Sequence, residues 1–282
     1  MLIFNKIIDI KNHLRECKCS GKSIGFVPTM GYLHEGHLSL IRKSASENDI
    51  TVLSIFVNPT QFGKGEDLDK YPRNLERDLE LSTQAGASIA FVPEPVEMYP
   101  EGYKTYVEVE KITGTLCGVS RPTHFRGVTT VVTKLFNIVG ANRAYFGQKD
   151  AQQAIVISQM TKDLDMDTEV VVCPIIREED GLAMSSRNVY LSHEERQQAL
   201  VLSQSLKSAK DMITKGEREA TIIKAAIEEK IKSATLAQID YVSIVDGNSL
   251  EEVSVRIHGK TLIALAVRFG ATRLIDNLMV EV

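Results

Sequence analysis

Two histidines three residues apart open the chemistry of this chain. They lie in PTMGYLHEGH, residues 28–37, where a strand-like run gives way to a helix-like one. At this spacing His34 and His37 can share one face of a helix start. Gly31 and Gly36 let the backbone turn tightly and approach a ligand. A helix N-terminus adds free N–H groups and partial positive charge, so the arrangement suits a polyphosphate. A bare His-x-x-His pair is as readily two surface histidines beside a turn. The preceding strand and the two glycines tip the reading toward a ligand site. Zinc is disfavoured, because no third ligand is near in sequence.

Three further segments carry unusual polar residues. GQKDAQQ, residues 147–153, places Lys149 where it can neutralise a phosphate and Asp150 where it can cap a helix. MSSRN, residues 184–188, brings Ser185, Ser186 and Arg187 together, the donors that phosphoryl chemistry needs, or else forms a polar linker. FVNPTQF, residues 56–62, sets Asn58 and Gln61 among apolar neighbours, as a small polar substrate or an Asn-Pro turn would require. Asp78, inside LERDLELS, reads as an ordinary solvated charge.

The elements that must position these residues alternate. Residues 23–28, 50–57, 88–92, 143–146 and 169–176 read as strands, the second apolar enough to be buried on both faces. Residues 36–48, 75–85, 125–139 and 151–164 read as helices, residues 93–105 as a loop and 106–109 as an added strand. This order predicts an α/β fold, a Rossmann-like parallel sheet with helices on both faces. Each polar segment follows a strand, so all four converge on the carboxyl edge, where open α/β sheets bind ligands. Beyond residue 177 the pattern changes. Ser192 with Glu195 makes a capping box for a long helix, and a second helix covers residues 220–234. Residues 240–245, 256–258 and 262–267 then look like strands in hairpin order. The expected division is a Rossmann-like domain over 1–176 and a smaller α+β domain over 177–282 that begins with a hinge loop.

Composition excludes several classes. Of 282 residues, 43% are hydrophobic and 25% charged, ordinary for a folded globular protein. The net charge of −4 and the scattered lysines and arginines argue against a nucleic-acid partner. No apolar stretch is long enough for a bilayer, and the N-terminus lacks signal-peptide order, so a cytoplasmic protein with no membrane partner is expected. Cys17, Cys19, Cys117 and Cys173 form neither a CxxC pair nor a zinc set and read as reduced thiols.

With PTMGYLHEGH, FVNPTQF, DLDKYPRN, THFRGV, YFGQKDAQQ and DGLAMSSRNVYL, spread over residues 28–191, the chain resembles the pantoate–β-alanine ligases of the nucleotidylyltransferase superfamily. Thr123 departs from the glycine usual there. The resemblance implies an ATP-dependent ligase. Pantoate's carboxylate attacks the α-phosphate, pyrophosphate leaves, and the amine of β-alanine then attacks the pantoyl adenylate, giving pantothenate and AMP. It equates His-x-x-His with the HIGH motif and Met184 to Arg187 with a KMSKS-like loop. By position it implies ATP contacts from Met30, Gly31, Tyr32, Leu33, His34, Glu35, Gly36 and His37, with His37 as proton donor and His34 as its phosphate-binding partner. Gly147, Gln148, Lys149, Asp150, Ile176, Met184, Ser185, Ser186 and Arg187 complete that site. Gln61 matches a contact to pantoate and β-alanine, Gln153 a contact to pantoate, and Asp78 a position near Mg2+. Homodimers are typical. His34, His37, Lys149, Ser185, Ser186 and Arg187 supply the fixed donors that attack at an α-phosphate requires. A reactive adenylate also needs shielding from water, a purpose for a hinged second domain or the loop near residues 63–69. Two alternatives remain open on the sequence: an adenylyltransferase that stops after the first step, and a nucleotide-binding module that senses ATP.

Overall fold

The computed structural model describes every residue except Lys64, so that one member of the 63–69 loop lies outside the described residues. Six strands form one wholly parallel sheet: β1 (Leu2–Phe4), β2 (Ile24–Thr29), β3 (Ile50–Ile55), β4 (Ile89–Phe91), β5 (Arg143–Gly147) and β6 (Glu169–Cys173). Their spatial order is β1-β4-β3-β2-β5-β6. The chain steps outward from β2 in one direction through β3 and β4, then crosses back to place β5 on its other side. The order therefore reverses between β2 and β5, and the crevice beyond their carboxyl ends is the ligand position of doubly wound folds.

Alternation along the strands fills both faces. Phe26, Val52 and Phe146 pack with helices Ile7–Cys19, His124–Val139 and Ala151–Asp163. Their neighbours Val27, Leu53 and Tyr145 pack with helix Glu35–Glu47. Residues buried on both faces explain the unbroken apolar runs. β6 ends at Cys173 instead of residue 176, because Pro174 has no N–H to continue the ladder. Residues 174–176 thus become a wall of the cavity described below.

The first strand and first helix, Leu2–Phe4 and Ile7–Cys19, extend the fold beyond the sequence expectation. Residues 106–109 form no strand. Their backbone is satisfied by helix side chains instead: Thr130 Oγ1 accepts from Val107 N–H at 3.0 Å, and Thr129 Oγ1 donates to Val107 O at 2.6 Å.

The C-terminal part holds a separate sheet, β7 (Ala237–Asp246), β8 (Lys260–Phe269) and β9 (Thr272–Glu281), antiparallel in that order. Helices Val201–Thr214 and Ala220–Lys232 cover one face of it and form a second core. The Ser192–Glu195 capping box is present, yet its helix is short, His193–Gln198. A tightened turn, with Leu200 N–H bonded to Gln197 O, re-aims the chain before Val201–Thr214. Residues 256–258 are not a strand of the sheet; Arg256 makes only an isolated bridge to Glu219. The third strand is β9, joined to β8 by a two-residue turn at Gly270 (φ +56°) and Ala271.

Candidate active site

The loop after β2 is set by a buried carboxylate. Asp78 of helix Leu75–Gln84 is 1% exposed, and its two oxygens accept the N–H groups of Tyr32 and Leu33, each at 2.7 Å. Those two hydrogen bonds hold a backbone that passes through the left-handed region at Gly31 (φ +85°) and Tyr32 (φ +50°). A Cβ on Gly31 would lie 3.0 Å from Asp78 Oδ2, so the approach itself requires glycine. Burial raises the Asp78 pKa, against the pull of the two N–H donors.

The chain then enters helix Glu35–Glu47 through a capping box made of histidines. His34 Nδ1 accepts Gly36 N–H at 3.1 Å, and His37 Nδ1 accepts His34 N–H at 3.3 Å. The ring centroids are 4.0 Å apart. Burial pushes the His34 imidazole down to about 4, and Lys149 acts in the same sense. Burial, then His34 and Lys149, holds His37 well below its ordinary value. Both rings are therefore neutral at pH 7. With Nδ1 already accepting, the proton of each ring sits on Nε2. Each histidine thus offers an Nε2–H donor.

Across the switch point, β5 runs into the turn Gln148–Asp150, from which Lys149 reaches the same cavity. That cavity holds about 240 Å³ and adjoins a cleft of about 840 Å³ between the loops at the carboxyl edge and the C-terminal sheet. It unites Met30, Gly36 and both histidines with Gln61, Gly147, Lys149, Asp150, Gln153, Ile176 and Met184 to Arg187. Gln61 sits on a turn fixed by Asn58, whose amide bonds Gly127 O and Gln61 Oε1, both at 3.1 Å. Gly127 must lack a side chain there, since a Cβ would collide with Thr60 O and the Gln61 backbone.

Other expected contacts lie elsewhere. Leu33 is a core residue, and Glu35 turns away to pair with Arg42. Gly31, Tyr32 and Leu33 shape the loop through backbone and do not line the cavity, and Gln148 turns its side chain to Asn277 instead. Asp78, which the resemblance sets near a magnesium ion, is buried here with its two oxygens holding two N–H groups, a geometry that suits a structural strut. It is no solvated charge. Among the described residues no cluster of three His, Cys, Asp or Glu side chains could hold a metal.

The rim carries two residues that sequence reasoning left out of the site, Arg121 and His124. Both lie in or beside THFRGV, but nothing in their spacing ties them to the strand ends. His124 Nδ1 is 2.9 Å from Gln61 O, an acceptor, so this ring carries its proton on Nδ1. Burial, then Arg121, brings it down to about 4. It is neutral like the other two histidines but presents a bare Nε2. The rim guanidiniums are engaged by one acidic loop. Arg121 pairs with Glu66, its Nε 2.7 Å from Oε1, and Arg187 binds Asp67 through two bonds of 3.0 Å.

A doubly wound parallel sheet with an array of cationic and N–H donors at its switch point defines a nucleotide-binding α/β protein. Comparison with known proteins narrows the class. The family model described as pantoate-beta-alanine ligase matches residues 2–279, and the chain belongs to that family. A relative from Acetivibrio thermocellus named pantothenate synthetase is 61% identical over 282 residues, covering all of both chains. One from Caldicellulosiruptor saccharolyticus with the same name is 58% identical over the same span. The crystal structure of pantothenate synthetase from Thermus thermophilus superposes with a TM-score of 0.93 at 45% identity, covering 99% of each chain. The Francisella tularensis pantoate-beta-alanine ligase, complexed with beta-gamma ATP and beta-alanine, gives 0.81 at 34% identity, over 99% of this chain and 97% of that one.

Proposed function

We propose that this chain condenses (R)-pantoate with β-alanine at the expense of ATP, through a pantoyl adenylate. The observation that carries the reading is the cavity at the β2/β5 switch point, where neutral His34 and His37 face Lys149. The Francisella tularensis relative, held with beta-gamma ATP and beta-alanine, supports the substrate assignment.

In the first step a pantoate carboxylate oxygen attacks the α-phosphorus, and the bond to pyrophosphate breaks. Negative charge grows on the non-bridging and leaving oxygens. Fixed donors stabilise that growth without reorganising, which is where most of the catalytic effect arises. His34 and His37 donate through Nε2–H. His37 takes the proton-donor role that the resemblance implies, presenting its Nε2–H to the charge that develops on the phosphate oxygens. Lys149, Ser185, Ser186 and Arg187 complete the array, with backbone of Met30, Gly36, Gly147 and Ile176 beside the nucleotide. Gln61 and Gln153 bind pantoate. In the second step the amine of β-alanine, beside Gln61, attacks the acyl carbon, the C–O bond to AMP breaks, and the amine sheds a proton.

Magnesium would arrive with the nucleotide and be held by its phosphates; among the described residues no carboxylate cluster fits it, and no step is routed through it. The functional division expected is 1–176 for ATP and pantoate and 177–282 for the hinged part. A homodimer is expected from the resemblance and is tested by light scattering on the eluting protein.

The decisive experiment measures pyrophosphate and AMP from ATP, magnesium and pantoate, with and without β-alanine. About one pyrophosphate per site without β-alanine, and sustained AMP only with it, is the expected result. Continuous turnover that ignores β-alanine would instead identify an adenylyltransferase. Binding of ATP with no product would leave a sensor.

A further inference from the structure

The C-terminal sheet lines the cleft beside the cavity and reaches the turn after β5 through two adjacent residues of β9, Asp276 and Asn277. They are 2% and 4% exposed, uncommon for such polar side chains unless every polar atom has a partner. Asn277 extends out of its own sheet into the turn after β5. Its Nδ2 donates to Gln148 O and to Lys149 O, both at 2.9 Å, and its Oδ1 accepts from Gln148 Nε2 at 3.0 Å. The carbonyl of residue 148 belongs to the peptide plane before the Lys149 Cα, and that of 149 to the plane after it. Holding both planes fixes the backbone dihedrals of Lys149 and so the direction in which its side chain leaves the turn.

Asp276 grips the other half of the cradle. Its oxygens take Arg177 Nη1 at 2.6 Å and Nη2 at 2.9 Å, and Arg177 Nη1 also donates to Gly181 O at 3.1 Å. That brace shapes the segment whose return bonds Met184 N–H to Ile176 O and delivers Ser185 to Arg187. Asp276 Oδ1 accepts the Asn277 N–H at 2.8 Å, so the two grips share one rigid point.

We propose that Asn277 is a positioning residue for the adenylation step, setting Lys149 relative to the Ser185–Arg187 segment that the neighbouring Asp276 holds. This rests on the ligase reading above. β9 is then the part that keeps two donor groups, which belong to distant stretches of chain, in register with one phosphate chain. A displacement on the order of 1 Å at such a site can cost a hundredfold in rate.

The test uses the full chain and the variants Asn277→Asp, Asn277→Ala, Lys149→Ala and the doubles of each Asn277 change with Lys149→Ala. Asn277→Asp keeps the shape but turns an oxygen toward two carbonyls. It should lower kcat for pyrophosphate release by roughly 10- to 100-fold, leaving the pantoate KM within about twofold. In the Lys149→Ala background either Asn277 change should cost less than about twofold further, since the side chain it positions is gone. Thermal melts report whether each variant folds; if the alanine variant does not, the aspartate pair carries the cycle. Equal losses in both backgrounds, a loss seen only in the pantoate KM, or wild-type activity of Asn277→Asp would overturn the proposal. If the unmodified chain itself releases no pyrophosphate, the ligase reading falls first.

Discussion

At the end of β2, residues 30–37 are tied down by four buried or part-buried bonds within the chain: two to Asp78 and two within the histidine capping box. At the opposite rim, Arg121 and Arg187 are held by Glu66 and Asp67, with all four side chains 20–31% exposed. The first wall is preorganised, because its bonds join groups of the chain to one another, with backbone N–H donors already satisfied before any substrate arrives. The second is exchangeable, because a phosphate or carboxylate can replace the loop's carboxylates at the same guanidiniums. A site that must align an α-phosphate yet admit and release anions gains from having one wall of each kind.

The sharpest way to break this comparison is at the fixed wall. His37→Ala should lower the adenylation rate by roughly a hundredfold or more, as loss of one preorganised donor does, with ATP affinity changing less. Pre-steady-state pyrophosphate release reads this directly. If ATP affinity collapsed while turnover at saturation stayed normal, the donor role would be wrong.

Asp78→Ala tests the strut. It leaves the Tyr32 and Leu33 N–H groups without partners, at about 1–3 kcal/mol each, so a loss of about 2–6 kcal/mol in a denaturant melt is expected. Activity should fall with it even in saturating magnesium. Recovery by added magnesium would point instead to the metal position that the resemblance implies.

The histidines predict a pH signature. His34 and His124 titrate near 4 when folded, below the ordinary 6.5. The unfolded chain therefore takes up protons first as pH falls. Their contribution to stability is complete above about 6.5 and is lost between there and about 4. The thermal midpoint should decline through that window, and His34→Gln with His124→Gln should flatten the decline. An unchanged slope would mean that the rings are not neutral.

The smallest effect belongs to the exchangeable wall. Asp67→Ala removes a partly exposed pair worth under about 1 kcal/mol, so stability should barely move. The KM for ATP should fall, by less than about threefold, since Arg187 no longer has to leave a competitor. A large loss of activity would place Asp67 in the fixed part of the site.

Local features were legible in the sequence for a local reason. A capping box, a buried strand and a strand-to-helix turn depend on neighbours within a few residues, and His34, His37, Lys149, Gln61 and Ser185 to Arg187 were found that way. β9 is not legible in the sequence because Asp276 and Asn277 interrupt its apolar alternation. Those two residues are polar because each reaches beyond its own sheet, one to Arg177 and the other to the turn after β5. The burial of Asp78 is hidden from the sequence for the same reason, since a helix-surface pattern does not reveal that a loop 45 residues upstream covers it.

By itself the sequence determined the α/β class, the family, the order of strands and helices along most of the chain, and the side chains that carry donors. Periodicity and short-range hydrogen bonding encode these, and both act within a turn or two. Tertiary structure alone decided which nitrogen of each histidine holds the proton, that Arg121 and His124 join the cavity, and that Asn277 meets the Lys149 turn. Those outcomes depend on which carbonyl, carboxylate or ring the fold brings into hydrogen-bond reach, and the residues that meet there are up to 129 positions apart.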